Sequence, residues 1–168
     1  MQKITLKGRA FKFGDGISTD LIIAGRYADL RSNLPELAKH VMEDADPEFI
    51  KKVHPGDFIV AGSNFGLGSS REHAPLVIKM AGVSAILAKS FARIFFRNAI
   101  NQGLPVLICD TDLIKDGDQL EIDLGGGVII NVTQNVRQTF TKIPAVMLSI
   151  LNEGGLVPYI NKYGGFKL

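Results

Sequence analysis

The sequence predicts an α/β fold: a three-layer sandwich in which parallel strands are joined by crossover helices and an antiparallel hairpin is added. Three observations carry this. The apolar runs "FIVAG", "VSAILAKS" and "LPVLICD" are short strands of the buried type, and helical patterns stand between them. That alternation calls for parallel pairing, because a parallel neighbour is reached only through a long crossover. Further on, "DQLEIDLGGGVIINVT" alternates apolar and polar residues on both sides of Gly125, Gly126 and Gly127, the pattern of a hairpin.

The elements follow in order. "KITLKGRAFKF" alternates and reads as a strand, closed by the turn chemistry of "GDGIST". Residues 21–23 read as a short strand, and "AGRYADLRSN" after them as a surface loop. "LPELAKHVMED" places Leu34, Leu37, Ala38, Val41 and Met42 at helical spacing, and "PEFIKKV" adds a turn of helix. "HPGD" breaks the pattern before the first buried strand. "APLVIKMAG" and "FARIFFRNAINQG" are the crossover helices, the second stopped by Gly103. "IPAVMLSILNEGGLVPYINKYG" gives a helix ended by glycine and then a tail. No repeat, low-complexity linker or shift in composition divides residues 1–168, so one domain is expected.

Composition narrows the function. A hydrophobic share of 46% over 168 residues is enough for a real core. The net charge is only +2 and the basic residues are scattered, Lys51-Lys52 being the densest pair, which argues against nucleic acid. No run approaches the roughly twenty apolar residues that span a bilayer, and "MQKITLKGRAFKFG" lacks the apolar segment of a signal peptide. Cys109, the lone cysteine, stands inside an apolar run and reads as a core residue of a protein in a reducing cytoplasm. No metal site is expected on this chain, since no second Cys, His or acid stands at ligand spacing.

The window "GSNFGLGSSREHA" lies between a strand and a helix. Gly62, Gly66 and Gly68 let the backbone turn tightly and approach a ligand. Ligands of open α/β sheets bind beyond the carboxyl ends of strands, where a helix N-terminus also offers N–H donors to an anion. Arg71 adds a planar fork for a carboxylate or phosphate. The spacing matches neither a P-loop nor a dinucleotide fingerprint. A structural reading stands beside the anion-binding one. Ser69 with Glu72 satisfies the Ser-x-x-Glu capping box, Pro75 suits a helix first turn, and His73 alone is an ordinary structural histidine. No Ser-His-Asp order is visible. A serine oxygen facing helix N–H groups would have its alkoxide stabilised, which makes Ser69 or Ser70 a candidate proton acceptor. The second candidate is the loop 25–33, where Arg26 and Arg31 accompany Tyr27 and Asp29. It is either a solvated loop or a cover for an anionic substrate.

"GSSREHA" at 68–74, "AKSFARIFFRNAINQGLPVL" at 88–107 and "STD" at 18–20 together resemble the swivelling domain of the aconitase superfamily. The resemblance covers nearly the whole chain, and it implies a swivelling β/β/α fold. It implies isomerisation of a hydroxy acid by dehydration and rehydration through a cis-enoic acid. With no cluster-binding part, the chain is similar to the separate small subunits of dehydratases acting on isopropylmalate or homoaconitate. The implied partner is a large subunit, in a heterodimer or heterotetramer, carrying a [4Fe-4S] cluster whose open iron binds the substrate hydroxyl and a carboxylate. No cofactor is implied on this chain, since the family uses three thiolates and this sequence has one. Ser69 matches the family's base, while Ser70 and Arg71 match the residues that hold substrate carboxylates, with Gly68 opening the motif.

Loop 25–33 is where the family reads the variable substrate group. A Tyr-Leu-Arg pattern marks its tricarboxylate forms, and here Ala28 and Asp29 separate Tyr27 from Leu30 and Arg31. Leu30 suits an isopropyl group, and Arg31 suits a further carboxylate. Separate short subunits favour the isopropylmalate type, in leucine biosynthesis. The homoaconitate type is the alternative within the family, and a non-enzymatic carboxylate-binding module is the alternative of another class.

Overall fold

The structure, a computed structural model, describes residues 4–166. Its centre is β1 (Thr5–Lys12), which belongs to both halves of one seven-stranded sheet. The last residues of β1, Ala10 to Lys12, pair in parallel with β2 (Phe58–Val60), whereas Thr5 to Arg9 pair antiparallel with β5 (Gln119–Asp123). β3 (Ala85–Ala88) and β4 (Val106–Ile108) continue the parallel half, and β6 (Val128–Asn131) and β7 (Val136–Thr139) continue the antiparallel half. The order is β4-β3-β2-β1-β5-β6-β7. The two β layers expected from the sequence are thus parts of one curled sheet, with helices completing the α/β architecture.

The sequence patterns follow from burial. Every residue of β2 and β3 is buried, so these strands are unbroken apolar runs covered on both faces. In β5 the pattern alternates, with Leu120 and Ile122 buried. The crossover helices are α4 (His73–Met80) and α5 (Arg93–Asn101). α4 buries Ala74, Pro75, Val77 and Ile78; α5 buries Phe95, Ala99 and Ile100. Gly103 takes φ +80° directly after the C-cap of α5, as expected for a helix stop.

Four expectations are corrected. Residues 21–23 are not a strand: α1 (Thr19–Ile22) occupies that run, with Ser18 Oγ accepting from Leu21 N at 3.2 Å. Burial of both Ile22 and Ile23 hides the helical period there. The loop after α1 is coiled into 3₁₀ turns over Gly25–Ser32, and it buries no residue. The helix expected over "LPELAKHVMED" stops early. α2 (Leu34–Ala38) gives way to turns, and Met42, at φ +59°, donates its N–H to Ile22 O at 2.8 Å. That left-handed residue turns Val41 and Met42 into the core, which a continued helix would not do. The tail after the glycines is a helix too. α6 (Ala145–Asn152) and α7 (Leu156–Tyr163) are separated by Gly154 and Gly155, and α7 buries Tyr159. α3 (Phe49–Lys52) is the expected extra turn.

Candidate functional site

Three loops leave the carboxyl ends of β1, β2 and β3 on one side of the sheet and are laced together by backbone hydrogen bonds. Gly66 N donates to Ile17 O at 2.7 Å and Thr19 N to Leu67 O at 2.9 Å, which ties the Gly-rich loop to the β1 loop. On its other side Phe65 N donates to Ser90 O at 3.1 Å and Ala92 N to Phe65 O at 2.9 Å. Phe65, Phe91 and Phe95 pack edge-on and stacked beneath this lacing. Gly66 is a glycine because its φ is +85° and a Cβ there would overlap the Phe95 ring. At Gly68, φ +99° turns the chain so that Ser69 and Ser70 stand exposed at the surface.

The result is a cleft of about 180 Å³ lined by Gly68, Ser69, Ser70 and Arg71 from the motif, Thr19 from α1, and a wall from the start of α5. Arg93, Ile94, Phe95 and Asn98 form that wall. Sequence reasoning missed these residues and Thr19. The signal was available, since Arg93 lies in "SFARIF" and Thr19 in "STD".

The capping box does not form. Glu72 is itself the N-cap of α4 and no side chain caps this helix. The serines stand ahead of the helix because Arg71 is pulled toward α1. Its Nη1 donates to Ile23 O at 2.6 Å and its Nη2 pairs with Asp20 Oδ1 at 2.6 Å. The Arg71 side chain is 15% exposed, whereas that of Asp20 is 68% exposed, so the cation is enclosed and its carboxylate partner stands at the surface. His73, at the start of α4, is held below its ordinary pKa of 6.5 first by burial, then by Arg31 and Arg71. The site is therefore a cationic corner beside a neutral histidine.

The loop residues behave differently from the motif residues. Tyr27, Leu30 and Arg31 do not line the cleft. Arg31 is exposed, with its charge felt at His73, while Leu30 is half-buried against the core. Tyr27 donates its hydroxyl to Glu43 Oε2 at 2.6 Å and stacks on His40. The loop nevertheless starts beside the motif, since a Cβ on Gly25 would lie 3.6 Å from Arg71 Nη2.

A [4Fe-4S] cluster does not fit the residues of this chain. Among the described residues no three His, Cys, Asp or Glu side chains are grouped as metal ligands. Cys109 is buried, and burial together with Asp110 pushes its thiol up to about 12, away from the thiolate a cluster needs.

Residues 17–110, more than half of the chain and including all three laced loops, match the aconitase C-terminal domain family. The chain belongs to that family. Similar aconitase C-terminal domain proteins include the 3-isopropylmalate dehydratase small subunit 2 of Archaeoglobus fulgidus, 68% identical over 96% of this chain and 98% of that protein. The 3-isopropylmalate dehydratase small subunit 1 of Thermotoga maritima is 61% identical over 96% of this chain and 98% of that protein. The crystal structure of 3-isopropylmalate dehydratase from Methanocaldococcus jannaschii, 50% identical, superposes with a TM-score of 0.92 over 96% of both chains. That agreement covers both halves of the sheet.

Proposed function

We propose that this chain is the small subunit of a 3-isopropylmalate dehydratase, interconverting 2-isopropylmalate and 3-isopropylmalate by dehydration and rehydration in cytoplasmic leucine biosynthesis. The observation that carries the reading is the cleft formed by Ser69, Ser70 and Arg71 in a chain matching such subunits along 96% of its length. In this reading residues 1–168 act as one swivelling domain. It completes an active site on a large subunit that holds the [4Fe-4S] cluster.

Ser69 is the base. Its oxygen, as the alkoxide, accepts the proton from the carbon beside a carboxylate, and the C–H electron pair becomes the double bond. The C–O bond breaks with its electron pair leaving on the hydroxide, which a proton-donating acid of the large subunit converts to water. Negative charge grows on that carboxylate as the proton leaves, and a cation already in place lowers the barrier. Arg71 is that cation, oriented by Ile23 O before substrate arrives. Ser70 and the remaining N–H groups of Arg71 hold carboxylate oxygens, and the conformation of Gly68 gives substrate access to both serines. In rehydration Ser69 returns the proton. Leu30 and Arg31 bound the variable end of the substrate, with Leu30 offering the apolar surface.

The test is the assembled enzyme, co-expressed with a cluster-bearing large subunit and assayed on 2-isopropylmalate. Ser69→Ala is expected to lower kcat by about 10²–10⁴, as for loss of a general base, with KM changed no more than about threefold. Activity on homoaconitate with none on isopropylmalate, or full turnover by Ser69→Ala, overturns the reading.

A further inference from the structure

Tyr27 stands in the loop expected to read the substrate, and the contacts it makes hold the loop itself. The Gly25–Ser32 segment buries no side chain completely, and only Tyr27 and Leu30 lean on the core, so polar contacts carry much of what fixes it. Tyr27 donates its hydroxyl to Glu43 Oε2 at 2.6 Å, and His40 Nδ1 lies 3.1 Å from the same oxygen. The Tyr27 and His40 rings stack with centroids 3.9 Å apart and planes 16° apart. The Arg26 guanidinium also stands over the Tyr27 ring, 4.8 Å from its centroid. Arg26 then forks onto Asp44, Nη1 to Oδ2 at 3.0 Å and Nη2 to Oδ1 at 2.7 Å, and lies 3.7 Å from Glu43 Oε2. Tyr27 thus meets both a cation and an imidazole, and one carboxylate oxygen joins three partners.

Each such contact is weak alone at a surface. Together they share Glu43 and Tyr27, so they act as a unit. The Glu43 carboxyl is held below the usual carboxylate range by the Tyr27 hydroxyl first, with burial opposing and His40 and Arg26 assisting. It is therefore an ionised acceptor at neutral pH. The other ends of the clasp are anchored. Met42, adjacent to Glu43, is fully buried and bonded to Ile22 O, and Leu37 and Ala38, ahead of His40, are buried as well.

We infer that Tyr27, His40, Glu43, Arg26 and Asp44 form a clasp that sets the position of the 25–32 loop beside Arg71, making Tyr27 and Glu43 positioning residues for substrate selection and not contacts to substrate. The inference rests on the proposed reading of that loop as the reader of the variable group. The loop begins beside Arg71 and carries Leu30 and Arg31, so loosening it at Tyr27 and Glu43 is expected to shift both readers while Ser69 and Arg71 keep their own contacts.

Two measurements test it on Tyr27→Phe and Glu43→Gln, both conservative changes at partly exposed sites. Hydrogen exchange of the chain by mass spectrometry reads the clasp directly. Amides of residues 25–33 are expected to exchange about tenfold faster in either variant while those of β2 and β3 stay unchanged. Steady-state kinetics of the assembled enzyme reads selection. KM for isopropylmalate is expected to rise about fivefold with a smaller change in kcat, and the preference over an analogue bearing methyl in place of isopropyl is expected to narrow. Unchanged exchange in the loop overturns the clasp. Faster exchange with unaltered KM and preference overturns its role in selection, as does a fall in Tm alone. If the wild-type assembly fails to turn over isopropylmalate, the proposed function falls, and the exchange measurement still decides the clasp.

Discussion

His73 shows how closely charge is packed beside the serine motif. Burial, then Arg31, then Arg71 hold its pKa below the ordinary 6.5, so the folded chain keeps it neutral while the unfolded chain takes up a proton near 6.5. The sign follows. Below that pH the unfolded state binds more protons, so stability held above pH 6.5 declines as pH falls toward the lower folded value. His73→Gln removes this contribution. Urea midpoints at pH 7.5 and pH 5 are expected to differ less in the variant than in the wild type, and an equal difference would refute the effect. That Ser69, Ser70 and Arg71 stand together was legible because they follow a Gly-rich loop in one short window, although the same window also read as a capping box. Asp20 and Ile23, which seat Arg71, were not, because nothing in a linear pattern shows that α1 lies against the Gly-rich loop.

Among the elements, α7 was the least legible, and its weight in the fold is testable. Tyr159 is 2% exposed, with ring centroids 5.0 Å from Tyr163 and 6.1 Å from Phe166. Truncating a buried aromatic costs about 3–5 kcal/mol, so Tyr159→Ala is expected to lower Tm by about 6–15 °C in thermal unfolding. A change below about 2 °C would return this segment to the status of a loose tail. The sequence hid α7 because Gly154 and Gly155 look like an end, although their positive φ values turn the chain into a second helix. β7 was missed for the opposite reason. "VRQT" is a polar edge strand with only Val136 and Gln138 half-buried, so it lacks the apolar signal that marked β2, β3 and β4.

For the molecule as a whole, one core runs through both halves of the sheet, from Leu107 through Ile59 and Phe11 to Ile122 and Ile129. Cys109 lies in that core just after β4, with its N–H donated to Ala88 O at 3.1 Å. Its buried, fully protonated thiol makes it a reporter of global opening. Iodoacetamide labelling is expected to be negligible in native buffer and to show the same urea midpoint as far-UV circular dichroism. Labelling at a lower midpoint would mean that the parallel half opens by itself. The shared strand has a further consequence, in the order of assembly. β1 is made before its parallel partner Phe58 and its antiparallel partner Asp123, so its hydrogen-bonding edges stay open until those later strands are made. Its first segment, Thr5 to Arg9, offers Lys7, Gly8 and Arg9 in place of an apolar ladder, and this polar stretch guards the nascent chain against strand-to-strand association until its distant partners arrive.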